Sequence, residues 1–245
     1  MTKLPSKILI QSTILAMTLF SSAYAKSVPS ISWTGFYGGV NSGFVFNDVK
    51  LRSQQLGFTD PSNTCNHHED LSSFFPGLQV GYSSLIDDNN IVLGLEGNVS
   101  INTQQSKTLE CDCSLGTTVW DFFRFKNHMQ TSLIGRVGYP LIVNNMSLLP
   151  FVTAGASFAD LGLTYENEAG DYYSTNNFKA GWRVGAGVDW AIYRNWSVRA
   201  EYFYADYGKA LQMNIPMLYG LTDPNGKGHV NLSTNTIQFA LNYWI

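Results

Sequence analysis

The sequence predicts an all-β fold: an eight-stranded antiparallel up-and-down transmembrane β-barrel with short periplasmic turns and four long extracellular loops. Three observations predict it. The first is a long alternation from Phe178 to Tyr207. Phe178, Ala180, Trp182, Val184, Ala186, Val188, Trp190 and Ile192 make one apolar face, opposite Lys179, Gly181, Arg183, Gly185, Gly187, Asp189 and Ala191. After a turn at Tyr193–Asn195, Trp196, Val198, Ala200, Tyr202 and Tyr204 alternate with Ser197, Arg199, Glu201 and Phe203. A period of two sustained this long is a strand signature, and runs of about ten residues suffice to cross a bilayer when tilted.

The second observation is the N-terminus. Lys3 and Lys7 precede an apolar stretch from Ile8 to Phe20 and a small-residue site at Ala23-Tyr24-Ala25, the pattern of a cleaved signal peptide over residues 1–25. The mature chain expected is 26–245, a single barrel domain. Loss of the two lysines moves the formal charge from -3 to -5, which excludes nucleic acid as a partner. No later apolar run is long enough for a membrane helix, so an exported membrane protein of this sequence crosses with strands. The third observation is a rhythm in which connections of about three to seven residues alternate with connections of about fifteen to twenty-five, as in barrels with short periplasmic turns and long outer loops. It places both termini in the periplasm and the protein in the bacterial outer membrane, with outer-membrane lipid as its solvent.

The strands follow in order. Trp33–Val49 sets Phe36, Val40, Phe44 and Phe46 against Tyr37, Asn41 and Val45. Ser72–Leu85 sets Phe74, Leu78, Val80 and Tyr82 outward and Gln79 and Gly81 inward, ending at the turn Asp87–Asn90. Ile91–Asn102 turns Ile91, Leu93, Leu95, Val99 and Ile101 out, and Gly94, Glu96, Asn98 and Ser100 in. His128–Leu141 has Met129, Leu133, Val137 and Tyr139 outward, opposite Gln130, Ser132, Arg136 and Gly138, and is followed by the turn Asn144-Asn145. Leu148–Leu161 alternates Val152, Ala154, Ala156 and Phe158 with Thr153, Gly155 and Ser157. The Phe178–Tyr207 hairpin supplies two strands, with Trp182, Trp190, Trp196 and Tyr204 toward lipid. His229–Ile245 closes the set, with Ile237, Phe239, Leu241, Tyr243 and Ile245 facing opposite to Thr236, Gln238, Ala240 and Asn242.

The inward faces carry Glu96, Arg136, Lys179, Arg183, Asp189, Arg199 and Glu201. Charge withdrawn from water is tolerated when partnered, so these seven are expected to form an ionic network filling a narrow lumen. Glu96 with Glu201 is the one pairing that suggests acid–base chemistry, but carboxylates among arginines stay ionised and no serine–histidine partnership accompanies them inside. No catalytic residue and no cofactor is assigned. Cys65, Cys111 and Cys113 lie outside the strand candidates; Cys65 with Cys111 or Cys113 is the cross-link an oxidising compartment allows. Cys111-x-Cys113 with His67 and His68 matches no standard metal spacing, so no metal is assigned. His67 and His68, in the first long loop, are the candidate ligand-binding residues. Val119–Phe125 is too aromatic for an idle loop and is expected to extend the fourth strand; Thr164–Asn177 is acidic, and Ile215–Leu221 is apolar.

Several motifs together resemble the eight-stranded outer-membrane surface-antigen family. They are Trp33-Thr-Gly-Phe-Tyr-Gly-Gly, Gly135-Arg-Val-Gly-Tyr139, Pro150-Phe-Val-Thr-Ala-Gly-Ala156, Gly181-Trp-Arg-Val-Gly-Ala-Gly-Val-Asp-Trp-Ala191 and Asn195-Trp-Ser-Val-Arg-Ala-Glu-Tyr202. That family includes porin-like major antigens and hemin-binding proteins of Gram-negative intracellular bacteria, and its barrel is similar to the transmembrane domain of outer-membrane protein A. The resemblance implies a structural or adhesive antigen with no catalysis, the barrel-assembly machinery as a partner in biogenesis, and a host or envelope partner at the long loops. It leaves two alternatives, a surface receptor for hemin or another small ligand, and a narrow porin. Members commonly end in an aromatic residue that the assembly machinery reads, whereas this chain ends Asn242-Tyr243-Trp244-Ile245. Slower assembly is expected, with a higher folded yield for Ile245→Phe than for the native chain; equal yields would remove the expectation.

Overall fold

Alternation along each segment forces the backbone into extended strands, because only a strand sends adjacent side chains into the two solvents that this sequence is written for. A computed structural model describes residues 31–54, 64–86, 90–103, 107–112, 120–167, 172–214 and 227–245. Its strands are β1 (Gly35–Gln54), β2 (Thr64–Ile86), β3 (Ile91–Ile101), β4 (Lys107–Asp112), β5 (Trp120–Gly138), β6 (Leu141–Val143), β7 (Met146–Asn167), β8 (Tyr172–Tyr193), β9 (Trp196–Asn214) and β10 (Lys227–Trp244). β4 resumes the line of β3 along β5, and β6 resumes the line of β5 along β7 after Pro140. The remaining eight close antiparallel on one another, with β5 on β7 and β1 on β10, so that no edge is left open to lipid.

Register fixes the shape. A path that leaves β1 at Asn47 runs through Thr234, Ala205, Arg183, Gly155, Ile134, Glu96 and Gly81 and returns to β1 at Tyr37, ten residues lower. Ten residues of stagger over eight strands tilt the strands by roughly 40°, and each step around the ring descends a little over one residue. Height in the lumen therefore cannot be read from a single strand.

The outer face meets lipid. Phe36–Tyr82 and Trp196–Tyr243 pair near the short-turn end, and Phe44–Phe74, Phe158–Phe178 and Trp182–Tyr204 pair farther out, with centroids 4.9–5.8 Å apart. Phe36 and Phe44 are eight positions apart, which at that tilt is roughly 20 Å of membrane normal, close to the ~25 Å apolar band of such barrels. Asn144 and Asn145 take positive φ of 48° and 64°, the backbone of a two-residue type I′ hairpin, for which asparagine is suited. Beyond the outer aromatic pairs β1 continues to Gln54 and β2 begins at Thr64, so most of what composition reads as loop is paired sheet. Val119–Phe125 is absorbed from Trp120 onward into β5, and Thr164–Asn167 and Tyr172–Asn177 into β7 and β8. The expected signal peptide (residues 1–25), Ile215–Leu221 and Cys113 lie outside the described residues.

Candidate functional site

The inward residues stack in layers. At the short-turn end Ile31, Trp33, Tyr37, Val92, Leu149, Ala191 and Trp244 form a buried apolar plug. Trp33 and Trp244 meet edge-to-face at 5.3 Å, and the Trp244 indole donates to Ser197 Oγ at 2.9 Å.

Above the plug lies a four-charge cluster. Arg199 donates to Asp189 Oδ1 through Nε at 3.0 Å and to Oδ2 through Nη2 at 3.3 Å, and its Nη1 reaches Glu96 Oε2 at 2.6 Å. Arg136 donates to Asp189 from the other side, while the Tyr37 hydroxyl donates to Glu96 Oε2 at 2.6 Å. The Arg136 guanidinium lies 4.0 Å from the Phe151 ring centroid, a face that accepts cations. Two carboxylates and two guanidiniums, all buried, neutralise one another, which is the condition for taking such charge out of water.

Gly81 makes room for this cluster. A Cβ there would stand 2.5 Å from Tyr37 Oη and Cζ. Gly81→Ala is therefore expected to displace Tyr37 from Glu96 and to lower stability by about 1–3 kcal/mol, read as the urea midpoint of the refolded barrel.

A second pair sits higher. Arg183 donates to Glu201 Oε1 at 2.9 Å and to Ser132 Oγ at 3.1 Å, Thr153 Oγ1 donates to the same carboxylate oxygen at 3.0 Å, and the guanidinium lies 3.5 Å from the Phe203 centroid. On the opposite wall Gln79 Oε1 accepts from Asn41 at 3.0 Å and Gln238 at 3.1 Å, and Gln79 Nε2 donates to Asn242 at 2.6 Å. Higher again the Tyr207 hydroxyl bridges Ser157 Oγ at 2.8 Å and Gln130 Nε2 at 2.9 Å.

Six of the seven inward charges thus fall into two ion-paired groups. Lys179 does not join them: it faces inward on β8 opposite Ala159, half-buried, and makes no ion pair among the described residues. Four positions nearer the outer end of the same strand, it sits above Arg183 and above Glu96, Asp189 and Glu201. His67 and His68 do not lie in a loop; they hold consecutive ladder positions of β2 opposite Leu51 and Lys50. Cys65 is likewise in β2, opposite Ser53, and Cys111 is in β4, opposite Asp121. Strand continues there because backbone groups raised above the membrane pair with each other as readily as with water. Sequence reasoning did not single out Tyr37, Phe151, Phe203 and Trp244 as supports of the charges. Their signal was parity, each being an aromatic in the polar phase of its strand.

Comparison with known proteins follows from this geometry. Residues 12–244 match the sequence profile of a family described as outer membrane protein beta-barrel domain. The chain is 25% identical over 228 residues to a 31 kDa outer-membrane immunogenic protein of Brucella melitensis biotype 1, covering 91% of this chain and 88% of that one. It is 27% identical over 190 residues to a 25 kDa outer-membrane immunogenic protein of Brucella ovis, covering 77% of each. Among solved structures the outer membrane protein OprG from Pseudomonas aeruginosa superposes with a TM-score of 0.50 at 13% identity, over 86% of this chain and 97% of that one, a likeness of fold.

Proposed function

The chain belongs to the outer-membrane protein β-barrel domain family and lies in the outer membrane, and from that premise we propose that it is a closed-lumen surface antigen with a structural and adhesive role. The observation that carries this reading is the filled lumen: an apolar plug and two ion-paired layers occupy the axis that a pore would need. The carboxylates Glu96, Asp189 and Glu201 each hold an arginine, which supports a structural role over proton transfer. Adhesion is supported by the height of the sheet. β1 runs ten positions past Phe44 to Gln54, roughly 25 Å beyond the outer aromatic pairs, and its pairing with β2 lifts the ends of both strands clear of the lipid headgroups.

In planar bilayers the refolded barrel is expected to leave the membrane silent. Regular single-channel steps would instead make it a porin. Displayed on a non-adherent Gram-negative host, it is expected to confer attachment to epithelial cells; no gain over the empty host would remove the adhesive part and leave the structural one.

A further inference from the structure

Above the outer aromatic pairs the ring of eight strands comes apart along two lines. Pairing of β2 with β3 ends at Gly77 and Ser100, and among the described residues β4 makes its ladder with β5 alone. Pairing of β8 with β9 ends at Trp182 and Asp206, while β8 continues up to Tyr172 on β7 and β9 continues up to Asn214 on β10. The two lines are four strands apart, so they face each other across the bore. As described, the outer sheet is therefore two four-stranded half-shells, β9-β10-β1-β2 and β4-β5-β7-β8.

Both lines have a cause in the sequence. Pro76, which has no N–H to give, stands immediately above the last β2–β3 pair. On the other side Gly208 takes φ of 57°, the ladder of β9 with β10 slips its register there, and the Gly208 N–H donates to Asp206 Oδ1 at 2.7 Å. A Cβ at Gly208 would meet no atom within 4 Å. β9 thus turns away, and one edge of β8 over residues 172–180, roughly 30 Å of strand, has no described strand beside it. Ala159 and Leu161 on the neighbouring β7 are buried, but Asn177, opposite Leu161, is exposed, so water reaches this edge.

Four strand edges border the two seams, and three of them are guarded in the ways that discourage pairing. β2 has Pro76 at its seam with Glu69 and Asp70 above, β4 is a short strand carrying Lys107, Glu110 and Asp112, and β9 has the bulge. β8 is different. Residues 172–180 contain no proline and a single charge, Lys179, and include Tyr172, Tyr173, Thr175 and Phe178, which favour strand. A row of unpaired backbone N–H and C=O groups is complemented by another extended backbone, and a strand that takes the place β9 vacates runs antiparallel to β8, its N-terminal end at the foot of the seam. Lys179 and Lys209 stand there at about the same height on the two lips, and neither makes an ion pair among the described residues.

We propose that the open edge of β8 docks an extended segment of another polypeptide, which joins the sheet as an antiparallel strand with acidic residues near its N-terminal end, between Lys179 and Lys209. This gives the adhesive reading above a partner class. It rests on that reading only for the outward placement of these strands, and peptide binding and attachment to cells are measured separately, so either can fail alone.

The test uses the full refolded barrel, its native state checked by heat-modifiable gel mobility. The probe is a peptide of two glutamates followed by alternating threonine and valine, about ten residues long. Titration is expected to saturate and to protect backbone amides of residues 172–180 from hydrogen exchange, followed by NMR. A peptide with lysines in place of the glutamates is expected to bind about tenfold more weakly, and the Lys179→Gln, Lys209→Gln barrel to bind the acidic peptide about fivefold more weakly. Only one edge of the guest strand meets β8, so N-methylation of every threonine and N-methylation of every valine should differ, one abolishing binding and the other sparing it. No protection, equal binding of the lysine peptide, or equal behaviour of the two methylated peptides overturns the proposal. So does protection that rises with barrel concentration without peptide, which assigns the edge to a second copy of this chain.

Discussion

Replacing Arg199 with methionine is expected to cost the folded barrel about 3–5 kcal/mol, the penalty for breaking a buried ion cluster by removing one partner. Arg199 alone touches both carboxylates of the inner cluster, Asp189 through two nitrogens and Glu96 through the third. Methionine keeps most of the volume against Phe151, whose ring lies 5.0 Å from the guanidinium, so the loss is one of charge and not of packing. What remains is two buried carboxylates sharing Arg136. Adding Glu96→Gln restores one anion to one cation, and the double variant is expected to regain more than half of the loss. Arg199→Lys should fall between, since a single ammonium cannot serve two carboxylates as a planar fork does. Urea titration in lipid vesicles, followed by the mobility difference between folded and unfolded barrel, measures all three. A single variant with the native midpoint would show that the cluster adds nothing to stability.

The fold was legible because lipid and lumen impose opposite chemistry on adjacent residues. Every strand from Phe36 to Tyr243 writes that demand into its parity. The ends of the strands were not legible, for the same reason inverted. Above the outer aromatic pairs both faces meet water, alternation no longer carries information, and Cys65, His67 and His68 look like loop although they hold ladder positions in β2. The charged site was legible as a set but not as pairs. Parity gives a residue its face, while its height depends on the ten-residue stagger accumulated around eight strands, which no local pattern encodes. That is why nothing local announces that Arg199 on β9 meets Glu96 on β3, four strands away around the ring, at 2.6 Å.

The other large effect is expected in the apolar plug directly beneath this cluster. Trp244→Ala should destabilise by about 3–5 kcal/mol, the range for deleting a buried tryptophan whose surroundings cannot collapse. They cannot collapse here because Tyr37 and Ser197 are fixed on other strands: the Tyr37 ring lies 4.5 Å from the indole, and Tyr37 is itself held by Glu96. The backbone on either side is tied as well, Trp244 N donating to Asn195 O at 2.8 Å and Asn195 Nδ2 donating to Trp244 O at 2.7 Å, so the void stays open. Trp244→Phe keeps the ring contacts and gives up only the bond to Ser197, a loss of about 0.5–1.5 kcal/mol. Because Tyr37 joins plug to ion cluster, losing the indole also loosens the support of Glu96. Trp244→Ala combined with Arg199→Met should therefore cost less than the sum of the two. The alanine variant is expected to flicker in planar bilayers where the native barrel is silent, since the plug is then breached and the polar layers above it are left to obstruct the axis. If it proves as stable as the phenylalanine variant, Trp244 is a passive lipid-end residue; if strictly additive with Arg199→Met, plug and cluster stand independently.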